Sequence, residues 1–128
     1  MFKLSRVLPF VVVALLALHT HAASAQKTYN FPARDFQGCN LLIGKITFNP
    51  DGTGFWEATT SSSRSYGTMI ITITARSRGN TALVVLPQWF SPRMATPAHY
   101  PWTKAFTYDR SIYNDIATGT DGYGCTMN

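Results

Sequence analysis

From position 26 onward the chain consists of short apolar and polar stretches in the pattern of β-strands. The clearest element is a hairpin, in which the strand-like residues 41–48 and 53–60 flank the sequence Asn-Pro-Asp-Gly at 49–52. Proline at the second turn position and glycine at the fourth are typical of a type I turn followed by a left-handed residue, as in a three-residue hairpin loop with a bulge. This turn predicts how the two strands pair.

The register of the hairpin follows from pairing Asn49 with Thr53. One face then carries apolar side chains, and the other carries an oppositely charged pair. The predicted partners are Ile46 with Trp56, Phe48 with Gly54, and Lys45 with Glu57. Because the apolar face and the charge pair arise together, another register would be less consistent with the sequence.

Further strand patterns predict an all-β fold. Residues 66–76 alternate in the manner of a strand, and residues 77–80 form a turn. Residues 81–86 complete a second hairpin with a strand so apolar that both of its faces are expected to be covered. Residues 103–109 have the character of one more strand, and within the tail 113–128 the segment 119–124 is expected to be a flexible turn. About five to six strands with short connections predict a small antiparallel barrel or a two-sheet sandwich.

The first 25 residues have the features of a signal peptide. Lys3 and Arg6 precede an apolar run at 7–18, and the small residues at 23–25 match the pattern that signal peptidase requires. We therefore predict cleavage before Gln26 and a single mature domain, residues 26–128, that is secreted or periplasmic. The apolar run is shorter than the roughly 20 residues of a spanning helix, so no transmembrane segment is predicted.

Two cysteines, Cys39 and Cys125, are predicted to form a disulfide that closes the β-domain. Small exported domains commonly use a cysteine pair in this way. In the chain-entropy model, a bond that closes nearly the whole domain is worth about 4 to 5 kcal/mol. A reactive thiol pair is the alternative, but these cysteines lack the Cys-x-x-Cys spacing that tunes thiol pKa.

Removal of the signal limits the chemistry open to the mature chain. His99 becomes the only histidine, and with both cysteines bridged no conventional zinc site can form, so we predict no metal and no other cofactor. No Gly-x-Ser-x-Gly motif accompanies His99 to complete a Ser-His-Asp triad.

Lys3 and Arg6 leave with the signal, which lowers the net charge from +5 to +3. The remaining basic residues are scattered, and nucleic-acid binding is not predicted.

Three carboxylates near the C-terminus, Asp109, Asp115 and Asp121, have no evident local role. Two converging acids could form a hydrolytic pair, whereas the same residues also suit turns or an adventitious calcium site. A small secreted hydrolase or toxin-like enzyme that uses these acids with His99 is therefore an alternative function. It requires His99 beside Asp109 or Asp115 in a cleft, and no catalytic residue is assigned.

The segment 87–102 interleaves prolines with aromatic residues and is expected to be a long ordered loop, because proline at this density excludes a central strand. Aromatic side chains on a rigid loop can anchor a protein partner or a sugar at low entropic cost. The alternative is that the rings close the mouth of the barrel. The binding hypothesis requires both tryptophans to be exposed on one surface. The candidate binding residues are Trp89, Phe90, His99, Tyr100 and Trp102.

A second surface of interest is the threonine side of residues 66–76. Thr72 and Thr74 are regularly spaced there and could order water or contact a polymer. Threonines in such positions are more commonly ordinary solvent-side strand residues.

The stretch from Gly38 to Leu41, the hairpin at 48–59 and the closing pair Gly124 and Cys125 resemble small secreted bacterial domains grouped as a family of unknown function. The resemblance implies a Cys-flanked β-fold and export, and it brings no catalytic residues. The leading hypothesis is a secreted, non-enzymatic domain that binds a protein or a carbohydrate through residues 87–102. A structural component of an envelope or matrix is a further alternative.

Overall fold

The structure, a computed structural model, describes residues 25–127, and this part of the chain folds into ten β-strands and one short 3₁₀ helix. The strands are β1 (Lys27–Phe31), β2 (Arg34–Phe36), β3 (Cys39–Phe48), β4 (Thr53–Ser62), β5 (Tyr66–Arg76), β6 (Ala82–Val85), β7 (Trp89–Phe90), β8 (Met94–Ala95), β9 (His99–Thr107) and β10 (Thr118–Met127). The 3₁₀ helix, Arg110–Asp115, connects β9 to β10.

The strands form two antiparallel sheets. The first sheet has the order β1-β3-β4-β9, with β2 also paired to β3. The second has the order β10-β5-β6, with β7 and β8 also paired to β5. The predicted all-β class is confirmed, and of its two forms the sandwich is observed, since the sheets do not close into a barrel. The additional strands are mostly short segments that the sequence pattern does not mark.

The hairpin of β3 and β4 has the predicted register. Its apolar and charged pairs oppose each other as expected, and the Lys45 Nζ lies 3.1 Å from Glu57 Oε2. Gly52 adopts the left-handed conformation, with φ of 91°, that the turn requires. The Asp51 carboxylate accepts hydrogen bonds from the backbone N–H of Thr53 at 2.9 Å and from its hydroxyl at 2.6 Å, and these bonds lower the pKa of Asp51. The turn sequence therefore determines the pairing.

The second predicted hairpin, β5 with β6, is also present. The expectation that its second strand is covered on both faces is wrong. Val85 pairs with Thr74 on the side away from the first sheet and is 62% exposed. Only the side of β5 that carries Ile71, Ile73 and Ala75 faces the interior, where all three are fully buried.

Two other expectations are corrected by long-range pairing. The segment 87–102 is not one loop, because β7 and β8 pair with β5 and β9 already begins at His99. Pro101 lies within β9, where it is tolerated because β9 is the edge strand of its sheet. The segment 119–124 is not a turn either, because it lies within β10, which pairs with β5 along its whole length.

The core lies between the sheets and draws buried side chains from both of them. Trp56, Ile46 and Phe48 come from the first sheet, and Met69 and Ile71 come from the second. The predicted Cys39–Cys125 disulfide is present and joins β3 to β10, so that it connects the two sheets.

The predicted signal peptide lies almost entirely outside the described residues. No helix between residues 25 and 127 has the length and apolar character needed to cross a membrane.

Candidate binding face

The two tryptophans of the predicted aromatic surface lie in the core. Trp89 is 7% exposed and stacks on Trp56 with ring centroids 6.2 Å apart. Trp102 is 9% exposed, and its Nε1 donates a hydrogen bond of 3.0 Å to the buried Thr60 hydroxyl. Strand pairing is the cause, because it directs both side chains toward the opposite sheet. The exposure that the aromatic-loop hypothesis requires is therefore not met.

The other three candidate residues do not form a cluster. Phe90 follows Trp89 in β7 and points to the opposite side, where it is 52% exposed. Tyr100 is half-buried, and its hydroxyl accepts a hydrogen bond from the Ala95 N–H at 2.9 Å. His99 is exposed and begins β9 in the first sheet, opposite Ser61. Of the five predicted binding residues, Phe90 alone combines exposure with a place on the second sheet.

The hydrolase alternative requires His99 beside Asp109 or Asp115, and His99 and Asp109 lie far apart. His99 begins β9 and Asp109 follows its end, and a strand of this length spans roughly 26 Å. Asp109 instead caps the 3₁₀ helix, where the Ser111 N–H bonds to its carboxylate and lowers the pKa of that group. Asp121 accepts a hydrogen bond from the Tyr123 hydroxyl and lies 3.7 Å from an Arg34 nitrogen. Within residues 25–127, no group of three histidine, cysteine or acidic side chains has metal-binding geometry.

A different surface, the side of the second sheet that faces away from the first, carries an ordered set of side chains. Alternate residues of β5 point to it because the residues between them are buried in the core. Residues directly paired across a sheet share a face, so the strand register identifies the remaining members. We call this surface the outer face. It consists of Tyr66, Thr68, Ile70, Thr72, Thr74 and Arg76 of β5, and of Val85, Phe90, Thr118, Thr120, Gly122, Gly124 and Thr126 on the neighbouring strands.

Hydroxyl groups and two glycines dominate the middle of the outer face. Thr74 lies between Thr120 and Val85, and Thr72 lies opposite Gly122. A Cβ atom placed on Gly122 would have only one heavy atom within 4.0 Å, the Thr72 carbonyl oxygen. The side of the face along β10 is therefore low and open.

Apolar side chains on this surface are unusually exposed. Of the four large apolar side chains that are most exposed in the described part of the chain, three lie on the outer face: Tyr66 at 42%, Val85 at 62% and Phe90 at 52%. The fourth, Ile43, belongs to the first sheet. Phe90 lies opposite Ile70, and on the other side of Ile70 the neighbour is Gly124, which has no side chain. These exposed apolar side chains on one face make the outer face the candidate binding surface of the described residues.

The charged groups of the outer face are all positive and lie near its ends. Arg76 donates from Nε to the Thr120 hydroxyl at 2.9 Å and from Nη1 to the Asn80 carbonyl at 3.1 Å. At the other end of β5, the guanidinium of Arg93 lies 4.0 Å from the ring centroid of Tyr66. The surface thus combines hydroxyls, exposed rings and arginines without a carboxylate.

Comparison with known proteins gives a family and no function. The model of a family of unknown function, DUF6294, matches residues 45–125. The chain belongs to this family. The match includes the β3–β4 hairpin turn and Cys125 but begins after Cys39. No curated protein and no solved structure matches the chain.

In this DUF6294 chain, part of the outer face could be recognised from the sequence. Thr72 and Thr74 have the spacing of residues on one side of a strand, and that spacing was the available signal. Thr118 and Thr120 have the same spacing, but Gly119, Gly122 and Gly124 conceal the strand that contains them. Strand alternation within the pair Trp89 and Phe90 also implies that only one of the two rings can be exposed.

A cavity with a volume of about 870 Å³ lies beside the 77–81 turn and the end of the 3₁₀ helix. Lys27 is one of the residues that line it. The Lys27 ammonium is already engaged, since it donates to the carbonyls of Tyr113 at 2.6 Å and Ile116 at 2.8 Å. This lysine holds the 3₁₀ helix against β1, so its ammonium is not free to contact a ligand in the cavity.

Proposed function

We propose that this chain is a non-enzymatic binding domain, and that its ligand is a glycan chain that lies along the outer face. The observation that carries the proposal is the concentration of exposed apolar side chains there, beside rows of threonine hydroxyls. Export supports the proposal, because extracellular glycans are available to a secreted or periplasmic protein. A disulfide between the two sheets is compatible with that location.

A glycan suits the chemistry of this face. Sugars present hydroxyl groups at their edges and C–H groups on their ring faces. Threonine hydroxyls both donate and accept hydrogen bonds, and an exposed aromatic ring such as Phe90 offers an apolar surface to a sugar ring. The low strip along Gly122 and Gly124 leaves room for an extended chain beside the side chains of β5.

A protein partner suits the face less well. Protein interfaces concentrate their binding energy in central tryptophan, tyrosine or arginine residues, whereas threonine is under-represented among such residues. Here one exposed ring, that of Phe90, lies opposite Ile70 near the middle of β5, whereas Tyr66 and the arginines lie toward the ends. The other positions around the middle are Thr72, Thr74, Thr120 and Gly122. This arrangement favours a ligand that makes many similar contacts along its length.

Binding to a panel of soluble polysaccharides tests the proposal. Phe90→Ala removes the most prominent aromatic ring and should weaken binding about three- to tenfold, which is the usual worth of one such contact. Gly122→Val should weaken binding as well, because it fills the low strip with a side chain that the backbone accommodates. Affinity electrophoresis or calorimetry measures both effects.

Ile43→Ala is the matched control, since Ile43 is equally exposed but lies on the first sheet. It should bind as the unaltered protein does. The proposal is overturned if no polysaccharide binds, or if Phe90→Ala and Gly122→Val bind as tightly as Ile43→Ala while all three proteins remain folded.

A further inference from the structure

We infer that the glycan bound by the outer face is an acidic polysaccharide, held as an extended chain whose carboxylate groups contact Arg76 and Arg93. This inference rests on the proposed function and names the class of its ligand. It depends on how the charges of the chain are distributed over the two sheets.

The acidic residues of the chain lie outside the strands of the second sheet, apart from Asp121, which points away from the outer face. Between residues 58 and 108 the sequence contains no aspartate and no glutamate, and this segment supplies β5, β6, β7 and β8 of the second sheet. The one acid in β10 is Asp121, which lies opposite the buried Ile73 and thus points inward, toward Arg34 of the first sheet. Among the described residues, a negatively charged ligand on the outer face therefore meets no acidic side chain.

The two arginines are oriented for contact with carboxylates. The hydrogen bonds of Arg76 to Thr120 and Asn80 fix its guanidinium and use only part of its five N–H donors. The guanidinium carbon of Arg93 lies over the Tyr66 ring, 4.0 Å from its centroid. A guanidinium that stacks on a ring keeps its N–H edge available for a bidentate contact. Both groups lie next to the threonine rows that would hold the sugar hydroxyls.

The spacing of the positive charges favours an acidic polysaccharide over a nucleic acid. Tyr66 and Arg76 lie at opposite ends of β5, which spans roughly 33 Å. Each strand of a DNA duplex carries one phosphate about every 3.4 Å of helix axis, so a duplex or a more extended single strand would place several phosphates over a face whose centre is uncharged. A polysaccharide with one carboxylate per sugar can place acidic groups at the arginines while its hydroxyls contact the centre.

The test compares polygalacturonate, its methyl-esterified form and a neutral cellulose derivative on the full mature protein. We expect polygalacturonate to bind about tenfold more tightly than its methyl ester, as two exposed ion pairs allow. Raising sodium chloride from about 0.1 M to about 1 M should remove this preference, because the Debye length falls from about 10 Å to about 3 Å.

Variants assign the preference to the two arginines. Arg76→Gln with Arg93→Gln should abolish it, whereas Arg76→Lys with Arg93→Lys should keep part of it. The control, Lys104→Gln with Arg110→Gln, removes the same charge from exposed positions on β9 and the 3₁₀ helix and should leave the preference intact. Thermal unfolding verifies the fold of each variant. If the double variant does not fold, Arg93→Gln alone replaces it, because this change disturbs only the contact with Tyr66. It should reduce the preference for polygalacturonate over its methyl ester.

The outcomes separate the inference from the proposed function. Equal affinity for polygalacturonate and its methyl ester, unchanged in the arginine variants, would overturn the inference and leave glycan binding in place. Absence of binding to every polysaccharide would overturn both. Tighter binding of a single-stranded oligonucleotide than of polygalacturonate would overturn the inference in favour of a nucleic-acid ligand.

Discussion

Among single residues, Tyr108 connects three parts of the first sheet at the end opposite the disulfide. Its hydroxyl donates to the Asn49 carbonyl in the β3–β4 turn, and its N–H donates to the Gly52 carbonyl at 2.8 Å. Its ring meets Phe48 edge to face, with centroids 5.3 Å apart. Burial, with smaller contributions from Tyr113 and Asp51, raises the pKa of Tyr108 to about 12. The neutral phenol is therefore the form that the fold favours.

This shift predicts an alkaline loss of stability. In the unfolded chain Tyr108 ionises near its ordinary pKa of 10.0, and in the folded chain only near about 12, so its contribution is complete below pH 10 and is lost as the pH rises toward 12. Tyr108→Phe should lower the free energy of unfolding at pH 8 by about 1 kcal/mol, through the lost hydrogen bond. It should also flatten the decline above pH 10. Urea unfolding at a series of pH values measures both, and an unchanged alkaline slope in the variant would contradict this account.

Among the elements, β3 and β4 could be predicted because everything that determines their pairing is local. The turn at 49–52 sets the register, and Lys45 with Glu57 satisfies the exposed side. By contrast, β9 and β10 depend on distant partners. Pro101 argues against a strand unless β9 is known to be an edge, and the glycines of β10 are compatible with a strand only because β5 supplies the partner.

The candidate site likewise depends on strand partners that are distant in the sequence. Aromatic residues at 87–102 were recognisable as a group, but burial of Trp89 depends on Ile71 and Trp56, which are remote in the sequence. Its aromatic side chain makes Phe90 a candidate binding residue from the sequence, but its exposure follows from the pairing of β7 with β5. The outer face as a whole emerges only when the register of four strands with β5 is known.

The disulfide that attaches β10 to the first sheet gives a direct test among the strands. The Cys39–Cys125 bond joins residues 86 positions apart, and β10 has no strand neighbour besides β5 within the described residues. Replacing both cysteines by alanine should lower the free energy of unfolding by about 4 to 5 kcal/mol, because the unfolded chain regains the entropy of an open loop. Hydrogen exchange should quicken first in β10. Equal stability of the variant and the unaltered protein, measured by urea unfolding, would rule out this contribution.

Across the whole molecule, the two sheets differ in chemistry as well as position. Acidic side chains belong to the first sheet, its turns and the 3₁₀ helix, apart from the inward-pointing Asp121. The second sheet has a buried inner side and an uncharged to positive outer face. The disulfide joins the sheets, and the Lys27 ammonium secures the 3₁₀ helix to β1. The first sheet thus supports the second, whose outer face is available to a ligand.

Export is the prediction that concerns the chain as a whole. Cleavage before Gln26 would leave every described strand intact, because β1 begins at Lys27 and the Gln26 side chain already contacts Asn49 with a hydrogen bond of 2.8 Å. We expect the full precursor, expressed in a bacterium with an active secretion pathway, to yield a protein that starts at Gln26.

Intact-mass measurement of that protein checks the start site and the oxidation state together. The mass should equal that of residues 26–128 less the two hydrogen atoms lost when Cys39 and Cys125 join, and alkylation without reduction should add nothing. A precursor with an altered apolar run is the control and should stay unprocessed. Retention of the first 25 residues in the unaltered protein, or two alkylated thiols, would contradict export as the setting in which this disulfide forms.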